Sequence, residues 1–370
     1  MVPGLRWFRR FAGVGLAPPV RLSPGGGGGR ARRHRAGVAP LLIAGRDRTR
    51  ADALLDTLGM PSGGGPAAAG AAVDLDDPES LARFAARCRL VVNCAGSAYR
   101  VLDTVAAAAL RHGADYVDAA GDDPVGNRLD AAHWAGAGRV SVLSAGALPG
   151  LSGLLPRVLA ADAARPVLLE AYLGGVAPLS PAAAGDVLLA RGPEHGTPGA
   201  SWQEGRVAER SSEPRRGVRA AAFPRPVDAF PFLSTEAVRL ARATGVEQVR
   251  WYTVFGGERL AEELAMAWAL ESNGTADLAA AAEADARRHG AWYGQEFRLW
   301  DGSAAGPPAA TLTLRAEDPC ELSGFLTALA VLRTLDDSVP PGVHYAADVL
   351  DPPSALAALR GDPAAEVERH

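Results

Sequence analysis

Few residue types in this chain can do covalent or proton chemistry, and their spacing narrows the field further. Lysine is absent from all 370 residues, which excludes a Schiff-base lysine, a Walker phosphate lysine and a Tyr-x-x-x-Lys dyad. The seven histidines are dispersed, the three cysteines Cys88, Cys94 and Cys320 form no CxxC pair, and no set has metal-ligand spacing, so no metal is expected. What remains are short polar clusters, each following an apolar run. Leu41-Leu42-Ile43-Ala44 runs into Gly45-Arg46-Asp47, Leu90-Val91-Val92 into Asn93-Cys94-Ala95-Gly96-Ser97, and Tyr116-Val117 into Asp118-Ala119-Ala120-Gly121-Asp122-Asp123. Val140-Ser141-Val142-Leu143-Ser144 likewise leads into a Gly/Pro loop, Ala145 to Ser152.

In a dinucleotide-binding sheet, the strand beside the adenosine ribose ends in Asp or Glu when the cofactor is NAD, whereas a nearby Arg accommodates a 2′-phosphate. Arg46, between Gly45 and Asp47, therefore points to NADP; the plain alternative is an ordinary strand-to-turn exit. The small residues from Asn93 through Cys94, Ala95, Gly96 and Ser97 would let a dinucleotide lie against backbone, or simply make a tight turn. Ala119 and Gly121 extend that lining. Adjacent acids before Pro124 commonly cap a helix; alternatively Asp122 or Asp123 faces the nicotinamide and relays a proton. Tyr99 and Asp122 are the candidate general acids, with Tyr172, His344 and Tyr345 behind them, and Arg250 a candidate to grip a substrate carboxylate. Cys94 reads as a packing residue, with no His near it in sequence to activate it.

The elements that must position these clusters alternate. Thr49 to Leu58 is predicted helical, Ala71 to Leu75 a strand, Asp77-Pro78-Glu79 a helix start, Val101 to His112 a helix and Asn127 to Ala135 another. Such βαβαβ alternation is the sequence form of a doubly wound parallel sheet, whose strand C-termini share one ligand-binding edge. Past Ser152, a possible N-cap of a helix ending near Asp162, the rhythm changes. Strand-like segments at Val167 to Gly174, Ala220 to Phe223, Val249 to Phe255 and Ala309 to Arg315 are separated by long connections. Helices are predicted over Leu260 to Leu270, Ala276 to His289 and Glu321 to Leu335, the last returning onto the first domain. The expected class is α/β, a Rossmann-type doubly wound parallel sheet with a second mixed α/β (α+β) substrate domain. The expected division is an atypical Arg/Gly-rich segment over 1–36, the NADP-binding domain over 37–152, a substrate or dimerisation domain over 153–335 and a C-terminal segment over 336–370.

The N-terminal segment is the anomaly. Residues 1 to 46 contain no Asp or Glu, and Gly25 to Gly29 lies where a G-x-G-x-x-G pyrophosphate loop belongs. Its flanks, Val20 to Pro24 and Arg30 to Arg35, resemble neither a strand nor an amphipathic helix, so a linker, a degenerate pyrophosphate loop and a start-site or frame artefact all stay open. At 370 residues with 48% hydrophobic content the chain can bury two domain cores. A formal net charge of −4 argues against nucleic acid as a partner. The absence of a long apolar run and of a cysteine framework predicts a cytoplasmic protein with no membrane span.

The ordered set LLIAGRD, VVNCAGSAYRVLDTVAAAALRHGADYVDAAGDDP and SAGALPGLSGLLP resembles the NADP-binding domain of the saccharopine dehydrogenase-like reductases, over about residues 37 to 160. The resemblance implies a nicotinamide-dependent oxidoreductase, commonly acting on a C=N bond formed between an amine and a carbonyl. It places Arg46 at the 2′-phosphate and Asn93, Ala95, Gly96 and Ser97 along the nicotinamide side. Lysine-forming members rely on a lysine this chain lacks, so imine reduction on another small biosynthetic intermediate is the expected activity. A trans-acting enoyl reductase on a carrier-bound chain and a non-catalytic interaction module are the alternatives, with a homodimer as the possible assembly.

Overall fold

The computed structural model describes residues 41–57, 68–270 and 274–370. The Gly25 to Gly29 run, its flanks and the Gly63 to Pro66 loop lie outside the described residues. The first half comprises β1 (Leu41–Gly45), α1 (Arg48–Thr57), β2 (Ala68–Ala72), α2 (Pro78–Ala85), β3 (Leu90–Asn93), α3 (Ala98–Val101) and α4 (Thr104–Arg111). Then follow β4 (Asp115–Asp118), α5 (Asp123–Gly126), α6 (Ala131–Gly136), β5 (Val140–Leu143) and α7 (Leu151–Asp162). The second half holds β6 (Pro166–Val176), α8 (Pro181–Leu189), β7 (Gly196–Pro198), β8 (Ser201–Gln203), β9 (Arg206–Ala208), β10 (Arg215–Val218), β11 (Val227–Ser234) and α9 (Thr235–Thr244). It continues through β12 (Gln248–Phe255), α10 (Glu258–Ala269), α11 (Thr275–His289), β13 (Trp292–Asp301), β14 (Ala310–Ala316) and α12 (Pro319–Leu335). The C-terminal segment adds β15 (Gly342–Tyr345), α13 (Ala346–Val349), α14 (Pro352–Arg360) and β16 (Glu366–Arg369).

The first sheet is parallel throughout and falls into two described pieces. One is β1 paired with β2; the other runs β15-β5-β4-β3. In the doubly wound order 3-2-1-4-5-6, the strand between such pieces is the first in sequence. Burial on both faces is why these strands read as continuous apolar runs. In β1, Leu42 and Ala44 join a core with Phe84, Val91, Val105 and Tyr116, while Leu41 and Ile43 pack with Ala51 and Leu55 of α1. Asp77 caps α2 by accepting from the Glu79 amide at 3.0 Å, and Pro78 sits in the first turn, where its missing N–H costs nothing.

The second sheet is mixed, in the order β10-β11-β12-β6-β13-β14-β16, with β7, β8 and β9 attached at its side. Only β12 and β6 pair in parallel along that path. Leu169, Ala171 and Leu173 of β6, Trp251 of β12 and Phe297 of β13 face α7 and α12, which share one core with Val92, Val117 and Val142 of the first sheet. α7 and α12 therefore form the layer that joins the two sheets, and α12 returns to the first domain as its sequence suggests. Residues 336–370 give one strand to each sheet, β15 to the first and β16 to the second.

Several local expectations are corrected. Val101 to His112 is two helices, because Leu102 adopts φ 49° and breaks the chain between α3 and α4. The helix expected over Asn127 to Ala135 is displaced: a short turn of helix, α5, precedes Asn127, and α6 starts after Asp130, whose carboxylate accepts from the Ala132 and His133 amides. Ala220 to Phe223 is not a strand. Ala222 and Phe223 pack against the outer face of the second sheet beside Tyr172, Tyr252 and Trp292, and the Ala222 amide donates to Glu296 Oε2. Gly150, not Ser152, is the N-cap of α7. The Ser152 hydroxyl is turned to Glu236 instead.

Candidate functional site

The C-terminal ends of the parallel strands collect the predicted site residues on one edge. At the end of β1, Gly45 is buried and its carbonyl accepts from Val73 N at 2.8 Å. Asp47 caps α1 through Thr49 N at 2.8 Å. Arg46, between them, is exposed and makes no hydrogen bond or ion pair among the described residues, which leaves its guanidinium available to a phosphate.

At the end of β3, Asn93 is buried and organises two strands: its Nδ2 donates to Asp118 Oδ2 at 3.1 Å, and its Oδ1 accepts from Ala95 N at 3.1 Å. Gly96 follows at φ 57°, a left-handed conformation that suits glycine, and a Cβ there would crowd Val101. Cys94 and Ala95 are half-buried and small, as a strand end that lies against a flat ligand requires. Burial, then the Asp118 charge, pushes the Cys94 thiol up to about 12, so it is no nucleophile at neutral pH.

Asp118 ends β4 and accepts from Tyr116 Oη at 2.5 Å, Ala120 N at 3.0 Å and Gly121 N at 2.7 Å. These bonds curl the chain through Ala119 and Gly121 and carry it to Asp122. Asp122 is 4% exposed as a whole residue, and its carboxylate is heavily engaged. It meets Arg239 Nη2 at 2.5 Å, Ser144 Oγ at 3.0 Å and Thr235 Oγ1 at 3.2 Å. The other terminal nitrogen of Arg239 pairs with Asp123, which also accepts from the Tyr345 hydroxyl, and the guanidinium lies 3.7 Å from the centre of the Tyr345 ring. Helix α9 of the second half, the first domain and the C-terminal segment thus converge on one charged knot.

Tyr99, in α3, is held by a residue of α8: Asp186 Oδ1 accepts from Tyr99 N at 3.1 Å and from Ser97 Oγ at 2.6 Å. The Tyr99 hydroxyl makes no hydrogen bond among the described residues. Burial, then the charges of Asp122, Asp186 and Glu236, raise its pKa, so it stays a protonated hydroxyl at neutral pH. Its ring packs on that of His195, centroids 4.1 Å apart and planes at 58°. Burial lowers the His195 pKa against the pull of Glu194, Asp122 and Asp186. Beneath the loop from Ser144 to Gly150, Glu236 is fully enclosed, accepting from Gly150 N at 2.6 Å and Ser152 Oγ at 2.5 Å. Desolvation, then the Asp122 charge, pushes its pKa up to about 7.

Sequence reasoning placed Tyr99, Asp122 and Tyr345 among the candidates but missed Asp186, His195, Glu236 and Arg239. Three of its other candidates stand apart. Arg250 Nη1 is bound to Glu170 at 3.0 Å, and Tyr172 shares that group on the outer face of the second sheet. His344 Nε2 lies 2.8 Å from the Pro340 carbonyl within its own loop. Among the described residues no group of three or more His, Cys, Asp and Glu could hold a metal ion, and no helix is long and apolar enough to cross a membrane.

The parallel sheet with an uncommitted arginine after β1 has the form of an NADP site, and comparison by family decides it. Residues 31–135 match the model of the saccharopine dehydrogenase NADP binding domain. Over this stretch the chain is similar to the NADP-binding domain of saccharopine dehydrogenase-like proteins. Comparison with curated protein sequences finds no significant match. Among solved structures, the saccharopine dehydrogenase (L-Glu forming) of Saccharomyces cerevisiae is similar at a TM-score of 0.61 and 15% identity, covering 90% of this chain and 94% of that one. That likeness is one of fold. An amine dehydrogenase from Mycobacterium smegmatis is more distant, at a TM-score of 0.42 and 14% identity over 80% of this chain and 84% of that one. The saccharopine dehydrogenase NADP domain sets the broad class, an NAD(P)-dependent oxidoreductase, with NADP the cofactor that the domain family binds.

Proposed function

We propose that this chain is an NADPH-dependent reductase of C=N bonds in a small biosynthetic intermediate. The observation that carries the reading is the Tyr99 hydroxyl, which makes no hydrogen bond among the described residues and stands beside the edge where Asn93 to Ser97 would line the nicotinamide. Bound NADPH would supply the hydride and its electron pair to the imine carbon. Tyr99 donates the proton that the imine nitrogen takes up as the π pair moves onto it. Asp186 fixes Tyr99 and Ser97 at the mouth of the site. Asp122 is too engaged to be the acid and acts by positioning: it ties Arg239 and Thr235 of the second half to the strand ends that hold the cofactor.

Arg46 would take the 2′-phosphate, as the one arginine at the end of β1, with Gly45 and Asp47 shaping its turn. Residues 37–152 then form the cofactor domain and 153–335 the substrate domain. Titration of the purified chain with NADPH, followed by nicotinamide fluorescence, tests the reading at its base. Binding of NADPH in preference to NADH is expected. No change in fluorescence at high micromolar cofactor would remove the reductase reading.

A further inference from the structure

Phenylalanine is spread unevenly over this fold. Phe84, Phe223, Phe297 and Phe325 are buried in the cores, and among the described residues only Phe230, Phe232 and Phe255 are left half-buried. Those three stand together. Phe230 and Phe232 share one face of β11, about 7 Å apart along the strand. The Phe230 ring meets that of Phe255 in β12 edge to face, with centroids 5.8 Å apart.

The side they occupy is the one turned to the first domain. Val249 and Trp251 of β12 point into the core under α7 and α12, and Phe255 continues their side of the strand, whereas Tyr252 and Val254 join the opposite core with Ala222. Phe230 lies opposite Thr253 in register, and so on that same side. From there the row reaches Tyr99 by two routes. Phe232 lays its ring on the backbone of Gly196, where a Cβ would come within 2.7 Å of it, and the ring of the preceding His195 packs on Tyr99. Phe255 packs against the core of α8, α10 and α11, and Asp186 of α8 holds Ser97 and the Tyr99 amide. At the far end the Arg216 guanidinium, paired with Asp228, lies 5.2 Å from the centre of the Phe230 ring. Half-buried rings leave apolar faces in water, and a flat apolar group that covers them is bound by burial and by ring-to-ring contact.

We infer that the imine carries an aryl group, seated on the row of Phe230, Phe232 and Phe255 while its C=N bond faces Tyr99. The inference rests on the reductase reading of the same site. In the balanced step, the hydride adds to the imine carbon, the π pair and the Tyr99 proton go to nitrogen, NADPH becomes NADP⁺, and the aryl group is unchanged.

The test compares 2-phenyl-1-pyrroline with 2-methyl-1-pyrroline, with NADPH oxidation as the readout. A kcat/KM at least about ten-fold higher for the phenyl compound is expected, the low end for an apolar group that fills a pocket, although conjugation makes its C=N bond the less reactive. In Phe230→Ala the preference is expected to fall about five-fold, the scale of one aromatic pair. Should that variant not fold, Phe230→Leu, which keeps an apolar side chain and removes the ring, is read in its place. Equal or preferred reduction of the methyl compound, or a preference that survives loss of the Phe230 ring, overturns the aryl subsite and leaves the reductase reading standing. If neither compound is reduced, calorimetry on the NADP⁺-saturated protein compares 2-phenylpyrrolidine with 2-methylpyrrolidine. Tighter binding of the phenyl compound by at least about ten-fold, diminished in the same variant, then upholds the subsite while imine reduction fails. Absence of that preference overturns the inference itself.

Discussion

Ser152 donates its hydroxyl hydrogen bond to Glu236 at 2.5 Å, joining the first turn of α7 to the first turn of α9. The same carboxylate holds Gly150 N at 2.6 Å, so the strand-end loop of the first domain is fastened to a buried acid of the second half. Glu236 is buried, and desolvation puts its pKa at about 7 where an ordinary glutamate has 4.5. The raised value favours the protonated form in the folded state. Its stabilising contribution is therefore complete below pH 4.5 and is lost as pH rises through 7. Glu236→Gln keeps an acceptor for Gly150 N and removes the charge. The variant is expected to match the wild type at pH 5 and to exceed it by up to about 3 kcal/mol at pH 8, measured by denaturant unfolding at both pH values. A variant less stable than wild type at pH 8 would show that the carboxylate is favourable where it lies.

Tyr99→Phe keeps the ring on His195 and removes only the free hydroxyl. The expected result is a fall in kcat of about 10²-fold, the lower range for loss of a general acid, with NADPH affinity unchanged. Steady-state kinetics with an imine acceptor and a cofactor fluorescence titration separate the two effects. An unaltered kcat would assign the proton to another group.

Much of this arrangement could be seen before any coordinates. The parallel strands β1, β3, β4 and β5 were legible because burial on both faces makes them short apolar runs, and the polar residues that stop each run mark the ligand edge. Asn93, Ser97, Tyr99 and Asp122 were found that way. Asp186, His195, Glu236 and Arg239 were not, because each reaches the site only through tertiary packing and none belongs to a local motif. Glu236 reads in sequence as an ordinary acid in the first turn of α9, after the Ser234 cap. The apolar Ala220 to Phe223 looked like a strand for a related reason: composition reports burial but not whether the buried backbone pairs. Here it packs as irregular chain against Tyr172, Tyr252 and Trp292.

Arg46 is exposed and uncommitted, so its removal should act on the cofactor and not on the fold. Arg46→Ala is expected to weaken NADPH by about 10- to 100-fold, the worth of a charge-assisted bond to phosphate, and to leave NADH nearly unchanged. Dissociation constants for both cofactors on both proteins give the comparison. Equal weakening of NADPH and NADH would place the 2′-phosphate elsewhere.

The Arg239 knot tests whether charge pairing holds the two halves together. Its side chain is 19% exposed and that of Asp122 6%, so truncating the arginine strands a buried carboxylate. Arg239→Met should cost about 3 to 5 kcal/mol, the usual penalty for breaking a buried pair from one side. Adding Asp122→Asn and Asp123→Asn to that variant removes the uncompensated charges, while the amide of residue 122 can still bond Ser144 and Thr235. Most of the lost stability should then return, because a buried ion pair gains little over a neutral polar contact once its desolvation is counted. Thermal melts of the single and triple variants decide it. A triple variant no more stable than the single one would mean that Arg239 acts through its packing on Tyr345, not through its charge.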